Sequence, residues 1–335
     1  MGFLFDPNRR GPRANSMKTE TVTIQSASIS VTSAPARPPA WQVAAAFAAI
    51  YLVWGSTYLA IRFAVGTIPP FLMAGTRFLT AGALLYAFVR LRGAVRPTLP
   101  EWRDAAIAGT LLLSCGNGGV SWAEQVIPSS VTALLVALVP MWMVLLDWLR
   151  PGGIRPRPLV FAGLALGFGG VGLLARVQSG EPGTTYVWGV AALIAATAAW
   201  AAGSIFYRHS RKPASPLLGV AMQMLAGGAV MAVVAALRGE SARFSPAQVT
   251  MASFMGWLYL TTIGSLVGFS AYVWLLRVST PARVSTYAYV NPLIAVLLGC
   301  TIGHERLSDQ LFLAGGLIVM AVVTIVRSSK SSAAR

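Results

Sequence analysis

The sequence predicts an all-α membrane protein of ten transmembrane helices, arranged as two inverted five-helix repeats. Three observations carry that expectation. First, apolar runs of about 20 residues, the length a helix needs to cross the hydrocarbon of a bilayer, recur from Trp41 to Val326. The 335-residue chain is 56% hydrophobic and only 11% charged, with a mean hydropathy of +0.66. A soluble domain would carry about 25% charged residues. Second, basic residues gather in alternate connections. With a cytoplasmic N-terminus, twenty of the 26 Lys and Arg fall in cytoplasmic segments and four in external ones, while Arg62 and Arg77 lie inside runs. That bias orients membrane proteins. Third, the halves repeat. A shift of 146 lays Trp54 on Trp200, Arg62 on Arg208, Pro70 on Pro216 and Gly82 on Gly228. A shift of 152 lays Gly116 on Gly268, Trp122 on Trp274 and Pro140 on Pro292. Five runs per half is an odd number, so the second copy enters the membrane from the opposite side.

Residues 1–40 are rich in Ser, Thr, Pro and Arg without an apolar period, and are expected to form a disordered cytoplasmic tail; Met17 is a second candidate start. The first half, 41–175, holds runs near 42–65, 70–90, 104–125, 129–148 and 158–175. The second, 186–327, holds runs near 186–207, 216–237, 251–275, 283–302 and 309–327, and 328–335 form a short cytoplasmic tail. A net charge of +16 raises the question of nucleic acid, but no basic stripe with interleaved aromatics exists. Cys115 and Cys300 both fall in apolar runs and are expected to be buried thiols, not a disulfide. Gly167-Phe-Gly-Gly-Val-Gly172 fits G-x-G-x-x-G, yet no strand precedes it, so its glycines are expected to pack helices. No catalytic motif, metal-ligand spacing or cofactor fingerprint occurs, so neither an enzyme nor a bound cofactor or metal is expected.

Several residues inside the runs are too polar to face lipid. Arg77 lies seven residues into the second run, where a charge needs a cavity or a partner. Its repeat-mate is Gln223. Trp54 and Trp200 occupy matching mid-run places, away from the ends where interfacial tryptophans belong. Ser56, Tyr58 and Asn117 lie at comparable depths, and Tyr287 and Asn291 approach from the ninth run. These eight are the expected substrate-binding set. Pro292 cannot donate its helical hydrogen bond and should kink the ninth run, and Pro140 should do the same in the fourth. Both are expected hinges. Only the ninth run adds polar groups at its proline, so the fourth is expected to supply packing. Glu124, near the outer end of the third run, is the expected partner of Arg77 or Arg62 in an outer gate. Uncharged polar groups among aromatic faces suit amphipathic, zwitterionic or cationic solutes better than polyphosphates.

The stretches Trp54-Gly-Ser-Thr-Tyr-Leu-Ala-Ile-Arg62, Pro69-Pro-Phe-Leu-Met-Ala-Gly-Thr-Arg-Phe-Leu79, Gly116-Asn117 and Tyr287-Ala-Tyr-Val-Asn-Pro292, followed by Gly303-His-Glu305, resemble the EamA-type drug/metabolite transporters, and within them the YedA-like inner-membrane exporters. The resemblance implies ten helices in two EamA repeats in the bacterial inner membrane, both termini cytoplasmic. It also implies export of small metabolites, amino-acid-like compounds or drugs. The first half departs from the pattern: Asp147-Trp-Leu-Arg-Pro-Gly-Gly153 lacks the acid that Glu305 provides in the second. Partners are expected to be a small-molecule substrate and the lipid bilayer, with the chain acting as a monomer. The alternatives are an importer or exchanger on the same scaffold and, from another class, a membrane-embedded enzyme or a receptor.

Overall fold

A computed structural model describes Gly2 and residues 38–150, 158–177, 184–279, 287–305 and 309–330. Residues 1–37 form a unit separate from 38–335, and every described helix belongs to the latter. The expected disordered tail thus falls almost wholly outside the described residues.

Every described run is helical, and no strand occurs among the described residues. In chain order the elements begin with α1 (Ala40–Ala64), α2 (Pro70–Leu91) and α3 (Leu99–Gly109). A π-helical segment (Thr110–Asn117) runs on into α4 (Gly118–Ala123), followed by α5 (Ser129–Val136), α6 (Val139–Leu149) and α7 (Pro158–Val177). Then come α8 (Thr184–His209), α9 (Pro216–Leu237) and the short α10 (Glu240–Arg243). Next, α11 (Met251–Tyr259) continues through a second π segment (Leu260–Val267) into α12 (Gly268–Val278). The last elements are α13 (Tyr287–Thr301) and α14 (Asp309–Lys330). Six stretches are long and apolar enough to cross a membrane: Ala40–Ala64, Pro70–Leu91, Ser129–Leu149, Thr184–His209, Pro216–Leu237 and Met251–Leu275. Pro158–Gly167, Val290–Thr301 and Phe312–Ala321 are shorter apolar helices. The final helix continues to Lys330, so the start of the expected tail at 328 is helical instead.

Local chemistry sets the ends. Thr98 and Glu101 close a reciprocal capping box on α3. Ser215 caps α9, with Pro216 at its first turn, where a missing N–H costs nothing. Both α2 and α9 stop just before a left-handed glycine, Gly93 (φ 84°) and Gly239 (φ 67°). The first proline of α2, its last leucine and this glycine all recur in α9 one repeat shift later, 146 residues on. The two π segments are likewise offset, by 150 residues.

Packing is close where glycine lets backbones meet. α2 lies against α9: a methyl on Gly82 would sit 2.9 Å from Met224 Cβ, and one on Gly228 2.9 Å from the Leu79 nitrogen. α7 lies against α14 in the same manner, with Gly170 tight on Ile318. The glycine-rich motif in α7 therefore serves helix packing, as expected. Further contacts come in related pairs: α1 packs on α12 and α13, while α8 packs on the first π segment and on α6. Outward faces stay apolar, with Leu84, Phe88, Val187, Val233 and Leu293 all exposed. A surface of that kind needs lipid. Cys115, expected to be buried, is on the exposed surface instead, and Cys300 is half-buried; both are free thiols.

Candidate functional site

One face of α1 starts the site. Trp54, Thr57, Tyr58 and Ile61 are spaced i, i+3, i+4, i+7, so they point the same way, and all four line one cavity. The cavity encloses about 760 Å³, its open mouth included. Arg77 enters from α2, Asn117 from the end of the first π segment and Trp200 from α8. Phe269 of α12 and Tyr287, Asn291 and Pro292 of α13 complete the polar and aromatic wall. Ala133, Val136, Ala137 and Val139 contribute an apolar wall from α5 and α6. The fourth run thus faces the cavity as well, but with methyl groups alone.

Trp54 is the aromatic hub. Its ring centroid lies 5.3 Å from Phe269, 5.0 Å from Tyr272 and 5.2 Å from Tyr287, the last edge-on at 88°. Such tilted and edge contacts suit the ring quadrupoles. The indole nitrogen rests against Gly268, where an added methyl would lie 2.6 Å away. Trp200 rests in the same way on Gly116, whose methyl would lie 3.0 Å from the ring. Each tryptophan therefore leans on the glycine that the 152-residue shift pairs with the other's.

Arg77 is 2% exposed. Its Nε donates to Ser265 Oγ at 2.9 Å and its Nη1 to Asn117 Oδ1 at a long 3.4 Å. One partner comes from each π segment. π-helical turns widen a helix and recur at functional sites; here they turn one polar group each toward the same guanidinium. The guanidinium also lies 4.4 Å above the Phe78 ring. Among the described residues it forms no ion pair.

Seven of the eight expected binding residues therefore share this cavity. Ser56 does not: it sits one position off the α1 face and bonds Val53 O and the Tyr259 hydroxyl. Asn291 lines the wall, and with its nitrogen turned toward them it donates to the carbonyls of Tyr51 and Tyr287, each at 3.2 Å. Its donors are thus spent on α1 and α13. Gln223, the repeat-mate of Arg77, bonds its own helix at Gly219 O, so the cavity is charged from one half only. Thr57, Phe269 and Ser265 were not among the expected residues. Thr57 was legible in the i+3 spacing from Trp54; Ser265 carried no signal, because only the second π segment brings it to Arg77.

The two prolines differ. Pro140 follows a break at Ala137–Leu138 that splits its run into α5 and α6. Pro292 is carried inside the continuous α13. At the end of α4, Glu124 is 1% exposed and pairs with neither Arg77 nor Arg62. Arg62 is held elsewhere: its Nε lies 3.7 Å from Glu305 and its Nη1 donates to Ile127 O. Glu305 in turn accepts from both N–H and hydroxyl groups of Ser129 and Ser130, at 2.6–3.1 Å. Burial alone would raise the Glu305 carboxyl, but these four donors outweigh it and hold it below the ordinary range.

Residues 41–176 and 187–327 each match the EamA-like transporter family. The uncharacterized inner membrane transporter YedA of Escherichia coli (strain K12) is 41% identical over 280 residues, 83% of this chain and 88% of that protein. Protein PecM of Dickeya dadantii (strain 3937) is 27% identical over 82% of this chain and 89% of its own length. A probable amino-acid metabolite efflux pump of Escherichia coli (strain K12) is 24% identical over 81% of this chain and 90% of its own. A protein of known crystal structure, 22% identical, superposes with a TM-score of 0.59 over 85% of this chain and 97% of that one, which shows a shared fold. With most of its length matched, this chain belongs to the EamA-like transporter family and is a multi-pass inner-membrane transporter, not an enzyme.

Proposed function

We propose that the chain is a secondary transporter that exports a small solute from the cytoplasm by alternating access, and that the solute is a zwitterion or single anion of the amino-acid-like kind. The observation that carries this reading is the lone cation of the cavity. Arg77 uses its protein partners on Nε and Nη1 and has no carboxylate neighbour among the described residues. A guanidinium matches a carboxylate with two parallel hydrogen bonds. The rings of Trp54, Trp200, Phe269 and Tyr287 suit the solute's apolar body, or an ammonium above a ring face. A purely cationic solute would meet like charge, which removes that class from those the sequence suggested.

Ten helices in two inverted halves are the frame of this reading. Support comes from the matching bounds of α2 and α9, the paired π segments and the exchanged Trp–Gly contacts. One half rocks against the other around Arg77, with Pro140 and Pro292 as hinges and Glu124 in the outer gate. Both termini face the cytoplasm, following the basic-residue bias, and a single chain works as the unit. The name of the efflux-pump relative favours export. No nucleotide motif exists, so a gradient drives the movement.

The test is a metabolite and resistance screen in cells that overexpress the chain. Amino-acid-like solutes should accumulate in the medium and resistance to toxic analogues should rise, with both effects lost in Arg77→Gln and Trp54→Ala. Increased uptake would favour the importer, and unchanged solutes in every arm would contradict transport of this class.

A further inference from the structure

Glu124 stands out from every other acid in the described residues. It is 1% exposed, and neither carboxylate oxygen has a hydrogen-bond partner among the described residues. The Arg62 charge attracts it, yet no ion pair joins the two among the described residues. An ionised carboxylate held there would lack the donors that buried charge requires. Glu305, close enough to repel it, has four such donors and the Arg62 side chain. Two acids therefore compete for one cation, and that cation is committed to Glu305.

We propose that Glu124 is a proton-binding site, neutral in this conformation, and that its protonation couples the transporter to the proton gradient. This rests on the transport reading above and names its coupling ion. The step balances simply: the carboxylate binds one proton from the outer solution as the carrier resets, and gives that proton up when the cavity opens inward. Loss of the proton restores a charge that attracts Arg62 away from Glu305. Arg62, Tyr58 and Trp54 are spaced by four along one face of α1, so a pull on Arg62 acts on the cavity wall. Tyr58 lies within electrostatic range of Glu124 and lines the cavity, so the charge on Glu124 is felt at the cavity wall.

The groups facing Glu124 are accounted for element by element. α1 brings Arg62 and Tyr58, and the connection after α13 brings Glu305. α8 presents Tyr186 at the same end, where Gly189 meets Val126 and Ile127. α2 brings Arg77 to Asn117, seven residues and about 10 Å away along the helix axis.

Infrared difference spectroscopy on the full chain in lipid reads this site without a substrate. The wild type at neutral pH should show the carbonyl-stretch band of a protonated carboxylic acid that is lost as pH rises. The band should be missing from Glu124→Gln, shifted but present in Glu124→Asp, and lost at lower pH in Glu305→Gln, where Arg62 is freed and the repelling charge is gone. No such band in the wild type overturns the proposal even if a variant misfolds, and an unchanged band in Glu124→Gln overturns it too. A second arm measures exchange of a mixture of the common amino acids in proteoliposomes, with and without an imposed pH gradient. The gradient should stimulate the wild type and leave Glu124→Gln unstimulated, each protein being compared with its own gradient-free rate. Equal stimulation in Glu124→Gln overturns the coupling. Absence of exchange for every amino acid would refute the substrate reading alone, because the infrared band still decides the proton site.

Discussion

Gly268 and Gly116 hold the two cavity tryptophans by lacking a side chain. A methyl on Gly268 would lie 2.6 Å from the Trp54 nitrogen and 3.0 Å from its neighbouring ring carbon. Gly268→Ala should therefore displace the indole, at an overpacking cost of about 1–3 kcal/mol. The expected result is a lower melting temperature and an altered tryptophan emission; an unchanged spectrum would show that the ring is not held there. At this scale the sequence was most informative on α1, where helical spacing alone groups Trp54 and Tyr58. The same spacing excludes Ser56 and admits Thr57, a distinction that depth in the run does not make. Ser265 was hidden, since the register of a π turn is not written in apolar periodicity.

Glu305 shows how an element depends on a side chain from elsewhere. α5 begins at Ser129 with no cap of its own, and Glu305 accepts its first N–H groups and both serine hydroxyls. Hydrogen bonds to a charged group contribute about 1.5–3 kcal/mol, so Glu305→Gln should lower the melting temperature by several degrees. The pH dependence has a definite sign. A carboxyl whose folded value lies below its unfolded one stabilises fully above the unfolded value of 4.5, and that contribution fades as pH falls through the lowered folded value. Acid should therefore destabilise the wild type more than Glu305→Gln, as thermal melts across that range would reveal; parallel acid losses would contradict it. The helical runs themselves were legible because length and apolarity decide them. The break before Pro140, unlike the unbroken α13 around Pro292, was not: the effect of a proline depends on whether neighbours let the chain turn.

The repeat is the feature of the whole molecule that a single sequence exposes, because duplicated Trp, Pro and Arg keep their offsets while the apolar filler drifts. What the offsets could not give is the asymmetry. Arg77 reaches the cavity and Gln223 folds back on its own helix, so a symmetric frame surrounds a one-sided charge. The basic-residue bias predicts cytoplasmic termini. In a Cys115→Ser, Cys300→Ser background, Arg335→Cys should react with a membrane-impermeant thiol reagent only after cells are permeabilised, and labelling of intact cells would reverse the orientation. Counterflow in proteoliposomes bears most directly on the transport reading. Vesicles loaded with unlabelled amino acids should draw in a labelled zwitterion through the wild type. Arg77→Gln, removing the partner of a buried charge pair at a cost of about 2 kcal/mol or more, should slow this by about 30-fold or more at low solute while retaining its helical content. Wild-type vesicles that exchange no solute in the panel, or an Arg77→Gln protein as fast as the wild type, would contradict it.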